Sequence, residues 1–322
     1  MQVILDVDTG VDDALAILLA CRSPSMDVRA ITCVAGNAEV DQVLANTLKV
    51  LDAADAPAIP VARGMSRPLV EPARPARHVH GEDGMGDLDL PPPRRAAVEV
   101  HAIELLRATL AAASEPITLI PLGPLTNIAV LVRMYPELLR RLDRIVLMGG
   151  AAAVGNATAA AEFNVWHDPE AAAIVLDCGV PVTMYGLDVF YAPVVQPADA
   201  RALATGDDPA QRLAGHLLGY QVARFGAVTL GDAGAVAAVL RPDLIQTSQL
   251  PVRVELAGTW TRGRTVVDQR PRALDLDHDE LGAGGLVDVA LGADGTAIAR
   301  LFLDVLRHRN PAPGNRDDAG VV

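Results

Sequence analysis

Short apolar runs alternate with stretches of helical period along most of the chain. Residues 3–7 read as a buried strand, 12–22 as a helix with Leu15, Leu18 and Leu19 on one face, 28–34 as a strand and 40–51 as a helix. A short strand is expected at 58–61, a helix over 96–113, a strand at 117–121 and a helix from Leu125. A strand at 144–148, a helix at 169–178 and a strand at 182–185 continue the rhythm. Nearly continuous apolar strands separated by helices predict one α/β domain, an open, mainly parallel, Rossmann-like sheet flanked by helices. There is no internal repeat and no linker between domains. The domain is expected to span residues 1–309, with 310–322 a polar, disordered tail.

Two stretches break the pattern. Residues 63–93 are rich in proline and glycine and contain HVHGEDGMGD, and residues 149–168 read GGAAAVGNATAAAEFNVWHD. Long loops in compact α/β domains are often functional, and ligands of open α/β sheets bind beyond the carboxyl ends of the strands. Asp6 and Asp8 lie at such an end, and so do Gly36-Asn37, Leu122-Gly123 and Gly149-Gly150.

The stretch LDVDTGVDDALA concentrates four aspartates, Asp6, Asp8, Asp12 and Asp13, within eight positions. Asp6 and Asp8 share a strand face by period two, Gly10 allows a sharp turn, and Asp12 and Asp13 open the next helix, where the dipole favours acids. Such a turn can bring several carboxylates to one point, and hard oxygen ligands of this kind suit Ca²⁺ or Mg²⁺. Helix capping alone needs one acid and has no use for Asp6.

Composition narrows the partners. A net charge of −13 excludes the clustered basic surface that phosphate contacts require, so no nucleic-acid partner is expected. Hydrophobic residues make up 51%, but no run approaches a membrane span, so no membrane partner is expected either. Three cysteines without a CxxC pair argue against a disulfide framework, and the N-terminus has no basic n-region. A cytoplasmic protein is expected.

Over residues 6–20 the sequence resembles the DxDxGxDDAxAxxLA signature of the nucleoside hydrolase family. VAGN (34–37), HVHGEDGMG (78–86), LGPLTNIA (122–129), MGGAAAVGNATAAAEFN (148–164) and HDPEAA (167–172) follow in the family's order over roughly residues 1–240. The resemblance implies hydrolysis of the N-glycosidic bond of a ribonucleoside through an oxocarbenium-like transition state. It also implies one Ca²⁺ held by Asp8, Asp13, Asp232 and the Leu122 carbonyl, with Asp8 as the general base for the attacking water. Asp12 and Asn37, with Asn156, Glu162, Asn164 and Asp232, are expected to bind the substrate, and Asp6 to support the ligands from behind. By the same likeness the chain is expected to form a homodimer or homotetramer. Asp168-Pro169 reads as a helix cap rather than a site residue.

One departure stands out. Family members often carry an HD pair at the late metal aspartate, whose histidine protonates the leaving base. Here the stretch is TLGDAGAV, with Asp232 as the aspartate and Gly231 at the histidine's place. His80 is then the candidate acid, and Tyr220, Gln221 and Phe225 are expected to face the base. Two other readings stay open. One is a non-catalytic nucleoside- or ribose-binding protein, which Gly231 favours. The other is a dehalogenase-type phosphatase, whose DxDx[T/V] motif fits Asp6–Thr9 but whose later acidic pair and phosphate-holding cation are not found.

Overall fold

In the computed structural model, residues 1–226, 228–270 and 285–308 are described; the expected tail at 310–322 lies outside them. The sheet contains β1 (Gln2–Val7), β2 (Asp27–Cys33), β3 (Val61–Arg63), β4 (Ile117–Pro121), β5 (Leu142–Met148), β6 (Val182–Tyr185), β7 (Ile245–Val254), β8 (Thr265–Val267) and β9 (Gly285–Ala293). Their order is β3-β2-β1-β4-β5-β6-β9-β7-β8. All pairings from β3 through β9 are parallel, while β7 runs antiparallel to both β9 and β8. The mainly parallel α/β sheet expected from the sequence is therefore present, with an antiparallel extension at one edge.

The chain first winds outward from β1 to β3 and then returns to place β4 on the other side of β1. This reversal is a topological switch point, where helices depart to opposite faces and leave a crevice beyond the strand ends. β1 lies at its centre. Val3, Leu5 and Val7 point into one core layer and Ile4 into the other, as a period of two requires. The first layer includes side chains from the helices Val11–Arg22, Val40–Ala53, Pro209–Phe225, Ala233–Leu240 and Gly295–Arg307. The second includes side chains from Ala102–Ala112, Thr126–Met134 and Pro169–Leu176. The helix Val11–Arg22 is buried on nearly every side because it lies between the sheet and neighbouring helices, so its sequence is apolar all round rather than striped.

Two elements shift from their expected positions. The helix expected over 96–113 is Ala102–Ala112. The Val98 N–H bonds to the Val61 carbonyl beside β3, and the His101 ring accepts from Ile103 N, capping the helix later than its periodicity suggested. The short strand expected at 58–61 is β3 at Val61–Arg63, because Pro60 has no N–H for the ladder and contributes only its carbonyl to Ile31. The Asp168 cap is as expected: its side chain accepts from Ala171 N, with Pro169 in the first turn. It also accepts from Thr126 Oγ1 and Leu69 N, tying three segments together.

The helix Pro209–Phe225 is fastened to the helix Val11–Arg22 by a bidentate pair. Arg22 donates to the Asp208 carboxylate at 3.0 and 2.8 Å, while Asp208 also caps Ala210 N at 2.8 Å. The two side chains are 10% and 8% exposed, whereas those of the Arg63–Asp41 pair are 45% and 75% exposed. Solvent screening leaves the second pair nearly worthless, but removing Asp208 breaks a largely buried bidentate pair and deletes a cap. Asp208→Ala is expected to lower unfolding free energy in urea by about 2–4 kcal/mol and Asp41→Ala by no more than about 0.5 kcal/mol; equal losses would contradict this account.

Candidate active site

At the carboxyl end of β1 the chain turns through Asp8, Thr9 and Gly10 into the helix Val11–Arg22. Asp13 closes that turn, accepting from Gly10 N at 2.9 Å and Asp8 N at 3.2 Å. Asp8 accepts from Asn37 N at 2.8 Å through Oδ2, and Asn37 Nδ2 donates to Asp13 at 3.2 Å. The loop after β2 thus clamps the loop after β1. Asp232 enters from the far end of the chain at the start of the helix Ala233–Leu240. Oxygens of Asp12, Asp13 and Asp232 lie within 4.8 Å of one another. The sequence grouped Asp8 with Asp13 and Asp232 and put Asp12 on the sugar; in the fold Asp12 belongs to the same convergence.

Asp8, Asp13 and Asp232 are buried. Burial, and then repulsion from the neighbouring aspartates, raises all three carboxyls: Asp13 to about 7, Asp8 and Asp232 well above the usual carboxylate range. Among the described residues no arginine or lysine is paired with these groups, and Asp8 Oδ1 and Asp12 Oδ1 are buried without a hydrogen-bond donor. Orphaned, crowded carboxylate oxygens with no internal cation fit a divalent metal ion. The Leu122 carbonyl, at the end of β4, accepts from Asn164 Nδ2 at 2.7 Å.

Asp6 lies one step behind. It is fully buried, accepting from Thr32 Oγ1 at 2.5 Å and Asn127 Nδ2 at 2.7 Å, and burial raises its carboxyl to about 7. Asn127 also donates to the Cys33 carbonyl and accepts from Met65 N, so Asp6 links β1, β2 and the helix Thr126–Met134. Shielded in this way, it has no access to a phosphoryl group.

The opposite wall comes from the loop after β5. Glu162 caps the short helix Phe163–His167, accepting from Asn164 N, Val165 N and Gly150 N. Burial still raises its carboxyl to about 7, because three amides only partly offset desolvation. Asn164 is anchored on the Leu122 and Met148 carbonyls, and Asn156 accepts from Phe163 N. His80 is buried against the start of the first helix: Val11 N donates to its Nδ1 at 3.2 Å, and Asp12 Oδ1 lies 3.8 Å away. Burial lowers its pKa.

These groups surround a cavity of about 530 Å³, lined among others by Asp12, Asn37, His80, Asn156, Glu162, Asn164 and Asp232. The fold therefore brings together the side chains that the sequence singled out for the substrate. Tyr220, Gln221 and Phe225 also line it, although Tyr220 donates its hydroxyl to the Val79 carbonyl and Gln221 accepts from Thr229 N. The sequence reading missed Phe190 and Tyr191, which follow β6, and Arg74 and Trp166, stacked with the guanidinium carbon 5.0 Å from the ring centroid. For Phe190 and Tyr191 the signal was position alone, just beyond a strand's carboxyl end.

The model of the inosine-uridine preferring nucleoside hydrolases matches residues 3–299. The chain belongs to that family. It is a ribonucleoside hydrolase, and the phosphatase alternative falls away. It is 40% identical over 274 residues to the pyrimidine-specific ribonucleoside hydrolase RihA of Photobacterium profundum, covering 83% of this chain and 88% of that protein. Among solved structures, an inosine-guanosine nucleoside hydrolase superposes with a TM-score of 0.89 at 31% identity, covering 96% of this chain and 99% of that one. The purine-preferring ribonucleoside hydrolase from Gardnerella vaginalis gives 0.85 at 30% identity, covering 95% and 98%.

This hydrolase leaves no room behind Asp8. A Cβ on Gly36 would lie 2.1 Å from Asp8 Oδ2 and 2.8 Å from Pro124 Cδ. Gly36→Ala must push the Asp8 carboxylate out of place, and a misplacement of that size costs about 100-fold in rate. The expected result is a loss of about that size in kcat/KM with unchanged far-ultraviolet circular dichroism; activity within twofold of the parent would show that Asp8 has freedom to move.

Proposed function

We propose that this enzyme cleaves the N-glycosidic bond of pyrimidine ribonucleosides, with water activated by Asp8 beside a bound Ca²⁺. The observation that carries the mechanism is the convergence of Asp12, Asp13 and Asp232, of which Asp12 and Asp232 line the cavity, with buried oxygens of Asp8 and Asp12 lacking donors beside it. The pyrimidine preference rests on the likeness to the RihA enzymes, which are named as pyrimidine-specific. Asp8, Asp13, Asp232 and the Leu122 carbonyl would hold the ion, which when bound lowers the pKa of a coordinated water and grips ribose hydroxyls.

The rest is the work of side chains. Asp8 takes the proton from the water as its oxygen attacks the anomeric carbon and the C–N bond breaks, its electron pair leaving with the base. Asp12 and Asn37 receive ribose hydroxyls from one wall, and Asn156, Glu162 and Asn164 receive them from the other. The surrounding carboxylates stabilise positive charge growing on the sugar. His80 completes the site on the base side. Because Val11 N donates to Nδ1, the neutral ring carries its proton on Nε2, and the lowered pKa keeps the ring neutral. His80 thus acts as a hydrogen-bond donor to a base carbonyl rather than as an imidazolium acid. By the same likeness a cytoplasmic homodimer or homotetramer is proposed, and light scattering on the purified chain measures the assembly.

Ribose release from uridine, cytidine and inosine, with and without chelator, tests this reading. Chelator-sensitive release with uridine or cytidine preferred is expected. Calcium-dependent ribose binding without release from any nucleoside would support the binding-protein reading that Gly231 favoured. Asp13→Ala is expected to abolish calcium binding in calorimetry together with activity. Asp8→Asn is expected to lower kcat by about 100-fold or more while ribose binding changes little; full turnover in that variant would remove the general-base role.

A further inference from the structure

We propose that Phe190 and Gly231 form a matched pair that selects the leaving base by size, the Phe190 ring filling the space that a side chain at position 231 would need. The proposal rests on the hydrolase reading and adds the element that distinguishes one base from another.

Gly231 holds φ at +52°, and a Cβ built on it would lie 2.9 Å from Phe190 Cζ, 2.8 Å from Asp12 Cβ and 3.0 Å from Asp12 Oδ2. The glycine is therefore required twice, by its left-handed backbone and by the atoms pressed against it. It directly precedes Asp232, and Asp12 stands across from it, so the ring tip reaches the edge of the carboxylate cluster.

Phe190 has little freedom to leave. It ends the helix Leu187–Phe190, its N–H bonds to the Gly186 carbonyl, and it is only 9% exposed while lining the cavity. Tyr191 meets it edge-on, with centroids 5.0 Å apart and planes at 80°. Two residues earlier, Asp188 accepts from Ala152 N and Ala153 N, so this short helix is tied to the loop that delivers Asn156 and Glu162. Any base attached to a ribose held by that loop meets a ring of fixed position.

A phenyl ring offers dispersion and a flat face but neither a proton nor a hydrogen bond. On this wall selection can come only from shape. A single six-membered ring needs less room than a fused pair, so a fixed aromatic wall penalises purines more than pyrimidines.

The test compares kcat/KM for uridine and inosine in the calcium-loaded full chain. Phe190→Ala is expected to raise the inosine-to-uridine ratio about tenfold, a change of the size that small differences in an apolar pocket produce. Phe190→Leu, which keeps an apolar filler, should move the ratio the same way by less and answers the question if the alanine variant folds poorly. Loosened packing alone would lower both substrates together and leave the ratio fixed. Gly231→Ala should lower both values, and its penalty should shrink at least about threefold when Phe190 is already alanine, as contacting residues are non-additive. An unmoved ratio in both Phe190 variants overturns selection by the ring, and an equal Gly231→Ala penalty in both backgrounds overturns the pairing. If the parent releases ribose from no nucleoside, it is the hydrolase reading that fails instead.

Discussion

Uncompensated negative charge is the constraint around which this molecule is arranged. Asp8, Asp13 and Asp232 are buried beside the half-open Asp12, and among the described residues no arginine or lysine is paired with them. Carboxylates in that setting hold protons unless a cation replaces them. The fold supplies what backbone can: amides of Gly10, Asp8 and Asn37 donate to Asp13 and Asp8, and the helix Val11–Arg22 points its N-terminus at the cluster. Those donors reduce the repulsion without removing it. The buried oxygens that remain without donors are the chemical reason the site calls for a divalent ion.

Bringing these acids together demands a crossing point in the sheet. β1 sits between β2 and β4, where the winding direction reverses, so the loops after all three strands reach one place. Asp6 contributes to this from beneath. Its bonds to Thr32 and Asn127 join two strands and a helix under the site, so the loops above start from a rigid base. Asn164 does the same on the other wall by binding the Leu122 and Met148 carbonyls. The polar residues around the cavity hold one another in place before any substrate arrives, which is the preorganisation that charge-stabilising catalysis needs.

The two sides of the cavity differ in chemistry. One wall is lined with amides and carboxylates already fixed by backbone contacts. Elsewhere the lining is His80 and aromatic rings, among them Phe190, Tyr191 and Tyr220. Relatives bear names for both purine and pyrimidine preference.

The sequence by itself determined the α/β class, the strand β1 and the aspartate turn. Those features are local: apolar runs of strand length, a glycine between acids and loops at strand ends all lie within a few residues of one another. Family likeness added Asp232, which no local pattern would have joined to Asp8. Only the tertiary structure decided that Asp12 converges with Asp13 and Asp232, that His80 accepts a hydrogen bond at Nδ1, and that Asp6 is sealed away. It also supplied the antiparallel edge, since β7 has a single buried position, carries weak alternation and contains Pro251. Phe190 was invisible for the same reason. Its meaning comes from a glycine forty-one positions later in the chain, and contacts of that range are set by how whole elements pack rather than by any neighbouring residue.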